Sequence, residues 1–284
     1  MSPVTRDRLD RLGAELARLR GDPAAPPDGS IVIPVNAQAD LKNILVVLGD
    51  VVRYQGKHAF EVVLVINNYP PESPPEEIQK YGAAGMQVVA LPTAWRVGEL
   101  VCLTARVHGA RAAASERVIL FDADCRIPNP TLLLDWYVGQ FDRGAQTAYT
   151  RVGYYELRPL WSVRARIAAH HAARWVKRTV LRIPTTRGSN YAVDRTAFLR
   201  LYDQGLLTDD ITVGPMTKAT GGRVAYSGAR GLRVLTSGRR FRGGWLKLTR
   251  YLRYRLVYNV RVVLPVRTGG ARKRQNPYHR KSLR

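Results

Sequence analysis

Residues 117–125 read RVILFDADC: four apolar residues that run into two aspartates one residue apart. A short apolar run that ends abruptly in acid is the mark of a buried strand whose carboxyl end opens onto a site. Working back from it, SIVIPV (30–35) ends at Asn36, FEVVLVINN (60–68) ends at Asn67 and Asn68, and MQVVALP (86–92) supplies a third apolar run. Between these runs lie helical stretches at 40–54 and 98–115. Strands of four to six apolar residues alternating with helices predict an α/β fold, a mostly parallel central sheet flanked by helices on both faces. Ligands of such sheets bind at the carboxyl ends of the strands. That rule gives Asn36, Asn67, Asn68, Asp122 and Asp124 more weight than polar residues elsewhere.

Outward from this half the pattern changes. Helical character recurs at 131–141, AQTAYTRVGYYEL (145–157) reads as a strand with a turn, and 160–182 reads as a long basic helix. RGSNYAVDR (187–195) predicts a glycine turn, a strand edge and a helix start. Thr208-Asp209-Asp210 opens another helix, with Thr208 as cap and the acids in the first turn. RVAYS (223–227) and LRVLTS (232–237) are late strands. At the front, Leu9, Leu12, Leu16 and Leu19 share one side of an amphipathic helix over 5–20, and GDPAAPPDGS (21–30) is a linker. The expected organisation is an N-terminal helix and linker (1–28), a catalytic domain (29–237, divided at 125/126 into nucleotide-binding and acceptor halves) and a basic helical extension with a tail (238–284).

The 284 residues are 45% hydrophobic, enough for a sizeable core, which excludes a disordered chain; their net charge is +23. The excess is lopsided: residues 211–284 hold 19 Lys and Arg and no carboxylate side chain. A one-sign quarter faces something anionic, whether nucleic acid, anionic lipid or a diphosphate-bearing ligand, or else serves as a solubility tail. On a helical wheel, 244–264 puts Trp245, Leu248, Leu252, Leu256 and Val260 opposite a face of Lys, Arg and Tyr. This fits an interfacial membrane helix, and equally a helix packed on the domain. There is no apolar run of membrane-spanning length and no signal-peptide pattern, and two cysteines make no disulfide framework, so a cytoplasmic protein is expected, with peripheral contact at the inner membrane face as an option.

Asp122 and Asp124, taken as strand residues at period two, project to the same side. Two like charges so placed suit a divalent cation between carboxylates and phosphates, and Mg2+ or Mn2+ takes such hard ligands. The alternative is an exposed acidic turn.

Six segments in this order resemble family 2 glycosyltransferases of the GT-A type: SIVIPVN, EVVLVINN, Ala105-Arg106 with Gly109, FDAD, RGSNYAVDR and TDD. The resemblance runs from Ser30 to about Arg242. It implies an inverting, metal-dependent transferase that moves a sugar from a nucleotide diphosphate, a UDP-sugar for preference, to a hydroxyl acceptor that is small or lipid-linked. By resemblance, Asp210 is the general base and Asp209 positions the site. Asp124 and Asp122 hold the metal. Pro34, Asn36, Asn67, Asn68, Arg106 and Ala123 contact the donor, and Gly188, Ser189 and Asn190 meet the acceptor. Arg239 or Arg240 neutralises the leaving diphosphate, since an arginine fork matches phosphate. For Arg106 a helix-surface salt bridge is the competing reading.

The chain departs from the pattern in three places. Asn36-Ala37-Gln38 stands where an acidic pair is usual, Asn67-Asn68 where an aspartate is usual, and no histidine lies between His171 and His279. Three rival functions are weaker. A nucleic-acid binder would present its phosphates to the strand-end acids and has no recognised motif. A nucleotidyltransferase would open with a glycine-rich basic loop, which VNAQADLKN lacks. A catalytically dead scaffold need not retain Asp122, Asp124 and Asp210.

Overall fold

The computed structural model describes residues 6–92, 101–157 and 160–238, together with Leu246, Thr249, Arg250, Arg253 and Val257. Arg239, Arg240 and Trp245, and most of the predicted C-terminal helix, lie outside the described residues.

Four strands, β1 (Gly29–Asn36), β2 (Phe60–Asn67), β3 (Gln87–Leu91) and β4 (Arg117–Leu120), form the parallel half of the sheet. The whole seven-stranded sheet runs β3-β2-β1-β4-β7-β5-β8, completed by β5 (Ala145–Thr150), β7 (Tyr191–Asp194) and β8 (Arg223–Ser227). Only β7 is antiparallel, to β4 on one side and β5 on the other. The strand that the glycine turn of 187–195 leads into is thus an interior one. Tyr191, Ala192 and Val193 are fully enclosed. Strands β6 (Val152–Tyr155) and β9 (Val234–Ser237) pair in a separate parallel ribbon.

Alternation along the strands explains the layers. Ile31, Ile33 and Val35 of β1, with Leu64 and Ile66 of β2, face α1 (Arg6–Arg20), α2 (Ile44–Val51), α3 (Glu77–Ala83) and α5 (Pro130–Asp142). Val32, Val63 and Val65 face α4 (Val101–Ala112), α7 (Arg195–Asp203) and α8 (Asp210–Ala219). The N-terminal helix joins the first layer through Leu12, Leu16 and Leu19, the leucines its sequence aligned. Helix α2 is shorter than the 40–54 stretch suggested, because Leu41–Asn43 winds as a 3-10 turn before it. The long basic helix is α6 (Trp161–Thr179). Helix α4 lies hard against the sheet at Gly109, where a Cβ would sit 2.3 Å from Val32 Cγ1. No other residue permits that approach without displacing β1.

The strand order turns over between β1 and β4, and there the sheet opens. Their pairing ends at Val32 and Leu120, the last bond running from the Phe121 amide to the Val32 carbonyl at 3.2 Å. Pro34 lies two residues on. Its missing amide faces the side that β4 has left, so it costs no ladder bond. No described helix is long and apolar enough to cross a membrane.

If α1 is an integral part of this core, Leu19→Ala should destabilise the protein by about 2–5 kcal/mol, the range for emptying a buried leucine site. Urea unfolding of the two proteins measures it, and an unchanged midpoint would mean the helix only rests on the domain.

Candidate active site

Because β7 is antiparallel, its first residue, Tyr191, sits opposite Leu120, the last of β4. The turn leading into β7 therefore stands at the same sheet edge as the Asp122–Asp124 turn. Helix α8 also starts there, and α4 on the same layer reaches the edge with Arg106. Four separate stretches of sequence meet at this point.

Arg106 joins them. It is 1% exposed. Its Nη1 donates to Asp210 Oδ2 at 2.9 Å, and its Nη2 donates to Asp122 Oδ1 and, at 3.0 Å, to the Gly188 carbonyl. Both expectations for this residue change: it is neither a surface salt bridge nor an open phosphate contact, but a buried cation shared by two aspartates. Desolvation works against its charge, yet Asp210 and Asp122 outweigh that and hold the guanidinium protonated. Asp210 is 8% exposed and accepts at Oδ1 from the Tyr191 hydroxyl at 3.0 Å. Burial pushes its pKa up to about 6, with Arg106 pulling it down and Asp209 and Asp122 adding to the rise. Tyr191 is driven well above its ordinary range, by burial first and then by Asp210, so it remains a donor.

Asp122 and Asp124 do not lie on the strand. Strand β4 stops at Leu120, and the Cys125 amide bonds back to the Asp122 carbonyl at 3.0 Å, closing a turn. The two carboxylates thus converge through the turn rather than through the strand pleat. With the Cys125 thiol, their ligand atoms all lie within 4.8 Å of one another. The β6–β9 ribbon clamps this turn: Arg126 and Leu235 exchange backbone bonds of 2.8 and 2.9 Å, and the Tyr155 hydroxyl donates to the Asp124 carbonyl at 2.7 Å. Thr236 of β9 donates to Asp124 Oδ1 at 3.3 Å. Cys125 is buried, its thiol pushed up by burial and by the two acids, and it bonds to the Ser189 carbonyl. The pair of hard oxygens at the half-exposed mouth, with a protonated thiol behind, suits Mg2+ or Mn2+ on carboxylate oxygens rather than a thiolate-bound metal.

The remaining predicted residues divide. Asn36 Oδ1 accepts from Asn68 Nδ2 at 3.0 Å and from the Gln38 amide, tying the ends of β1 and β2 together. Asn68 takes a left-handed backbone, φ 64°, which asparagine tolerates. Asn67 is buried. Its Nδ2 reaches the Val65 carbonyl, while its Oδ1 has no hydrogen-bond partner among the described residues. Ala123 is buried within the acid turn. Of the glycine turn, Gly188 meets the site: a Cβ there would stand 2.7 Å from both Arg106 Nη2 and Asp210 Oδ2. Ser189 offers its carbonyl to Cys125. Asn190 is enclosed in a network from the Tyr137 hydroxyl to the Thr150 hydroxyl, so its side chain holds the fold. Asp209, not Thr208, caps α8, accepting from the Asp210 amide at 2.7 Å in a capping box with Thr212. Sequence reasoning missed Tyr191, Tyr155 and Thr236. Tyr191 adjoins the glycine turn, whereas the other two reach the site only through the ribbon.

No protein-family model matches the chain, and no curated protein matches it. Solved structures do. A mannosyltransferase from Pyrobaculum calidifontis in complex with GDP-Man and Mn2+ is similar over 89% of this chain and 76% of that one, at 15% identity and a TM-score of 0.55. GalNAc-T7 with UDP, GalNAc and Mn2+ is similar over 75% and 44%, at 17% identity and 0.50. TarS 1–349 of S. aureus is similar over 81% and 65%, at 14% identity and 0.48. The chain has the GT-A fold of glycosyltransferases.

Arg106→Met should cost about 3–5 kcal/mol at pH 7, the range for stripping a buried ion pair of one partner. Asp210 already titrates above its ordinary 3.8. Protonated Asp210 therefore favours the folded state, a contribution complete below about 4 and lost as pH rises past about 6. Without Arg106 the carboxyl is driven higher still, so the penalty should shrink at pH 5. Denaturation at both pH values tests it, and a pH-independent penalty would contradict the charge bridge.

Proposed function

We propose that this protein is a metal-dependent glycosyltransferase that moves a sugar from a nucleoside diphosphate to an acceptor hydroxyl with inversion at the anomeric carbon. One observation carries the reading: on a GT-A sheet, at its carboxyl edge, Arg106 ties Asp122 of the acid turn to Asp210 at the head of α8. Donor-side and acceptor-side carboxylates thus share one fixed cation.

Asp210 is the base. Tyr191 and Arg106 each hold one of its oxygens, which sets the carboxylate plane. Each oxygen keeps a second lone pair for an incoming hydroxyl. A carboxyl titrating near 6 is largely ionised at neutral pH yet more basic than an exposed aspartate, which suits proton abstraction. As the acceptor oxygen bonds to the anomeric carbon, its proton passes to Asp210 and the bond to the diphosphate breaks. A single displacement of this kind inverts the centre. Asp124 and Asp122 would hold Mg2+ or Mn2+, and the bound ion supplies positive charge for the departing diphosphate. Asn67 Oδ1, without a hydrogen-bond partner among the described residues, is an acceptor of the sort that a base N–H satisfies, and the uracil imide fits it, which favours a UDP-sugar.

Asp210→Asn should lower turnover by about 10²–10⁴-fold while leaving Mn2+-dependent nucleotide affinity within about twofold. In the wild type the rate should rise with pH through about 6, and this limb should vanish in the variant. Parallel loss of turnover and of nucleotide binding would remove Asp210 from the role of base. Asp124→Ala should weaken Mn2+-dependent nucleotide binding about tenfold or more, read by calorimetry. Equal affinity in the two proteins would place the ion elsewhere.

A further inference from the structure

A second basic feature lies at the same sheet edge. Strands β5 and β8 run parallel to β4 and end at Thr150 and Ser227. Just beyond them, against α6, is a cleft of about 350 Å³. Arg151, Arg174, Arg178 and Arg187 line it, with His171 and Tyr226, and no carboxylate lines it among the described residues. Three of the arginines have uncharged groups among their contacts. Arg187 Nη1 donates to the Tyr154 hydroxyl at 2.6 Å, Arg174 Nη2 donates to the Thr185 carbonyl at 3.3 Å, and Arg178 lies 3.7 Å over the Tyr226 ring. Arg151 and Arg178 make no salt bridge among the described residues. Concentrating four guanidinium groups around one small volume is unfavourable unless an anion enters it.

His171 reports the field of this cluster. Burial first, then repulsion from Arg151, Arg174 and Arg187, pushes its pKa down to about 4, so the ring is neutral at pH 7. The Tyr154 and His170 rings also face it, at 6.1 and 6.0 Å.

The cleft borders the candidate active site through one turn. Gly188 presents its carbonyl to Arg106, while the preceding residue, Arg187, lines the cleft. A molecule anchored by an anionic group in the cleft therefore lies beside the turn whose next residue contacts Arg106.

We propose that this cleft binds a phosphate monoester group of the acceptor, so that the hydroxyl to be glycosylated belongs to a phosphorylated molecule. Arginine forks match phosphate oxygens, and four of them suit a dianion better than a single carboxylate. The proposal rests on the glycosyltransferase reading for the word acceptor, though not for the anion site itself.

The test is calorimetric titration of glycerol 3-phosphate, with glycerol as control, into the full-length protein alone and saturated with UDP and Mn2+. The same titrations are run on Arg151→Gln/Arg178→Gln, with the corresponding double lysine variant to retain charge and an unfolding curve to confirm the fold. Expected are binding of the phosphate ester but not glycerol, alongside UDP, about tenfold or more weaker in the double glutamine variant, partly restored in the lysine variant, with UDP affinity unchanged. In NMR titrations the ester should raise the His171 pKa. The proposal is overturned by no binding, by displacement with UDP, which would put the ester in the diphosphate site, or by binding indifferent to the arginines. If the ester binds as expected but no nucleotide does, the anion site stands and the transferase reading falls. Sedimentation with phosphatidic acid vesicles against phosphatidylcholine vesicles separates the sources: arginine-dependent capture indicates a phosphate on a lipid, and its absence alongside ester binding indicates a soluble one.

Discussion

A guanidinium removed from water at the edge of a parallel sheet is the constraint on which this structure depends. Burying an unpaired charge is prohibitive, so Arg106 requires anions on more than one side. They come from residues 16 and 104 positions away in sequence, Asp122 and Asp210. The backbone accommodates the arrangement. Gly188 has no side chain because the space is filled by Arg106 and Asp210, and its carbonyl takes a further guanidinium proton. Gly109, one turn along α4, lets the helix lie close enough to the sheet for Arg106 to reach the edge.

The same bridge changes how the acid pair is understood. Viewed alone, Asp122 and Asp124 are two repelling charges that call for a cation. In the structure Asp122 already has one, and Asp124 is held through its carbonyl by Tyr155 and at its carboxylate by Thr236. The turn is thus shaped before any metal arrives, with the pair's outer side at the half-exposed mouth. Preorganisation of this kind lowers the reorganisation that ligand binding and catalysis would otherwise require.

The parallel half of the fold was legible in the sequence because buried parallel strands are continuous apolar runs: 30–35 and 60–68 emerged as strands, and the run read over 117–124 did so as far as Leu120. The antiparallel insertion of β7 was not, since four residues of YAVD carry no sign of which neighbours will pair with them. The site was legible by residue type and order rather than by contact. Asp122, Asp124, Arg106, Gly188 and Asp210 do converge, yet no pattern at long sequence separation reveals that one arginine serves two of the acids. Asn190 was expected to meet the acceptor and Asp209 to position the site, because small polar residues beside a glycine or at a helix start serve binding and local structure equally well. Here hydrogen bonds to Tyr137 and Thr150, and a capping box, engage them.

The most direct measurement is calorimetric titration of UDP and of GDP into the wild-type protein, with Mn2+ and with the metal chelated. One nucleotide, UDP by preference, is expected to bind with Mn2+ and to lose most of its affinity without it. Absence of binding by either, or affinity indifferent to the metal, would contradict the assignment of the Asp122–Asp124 turn as a donor site.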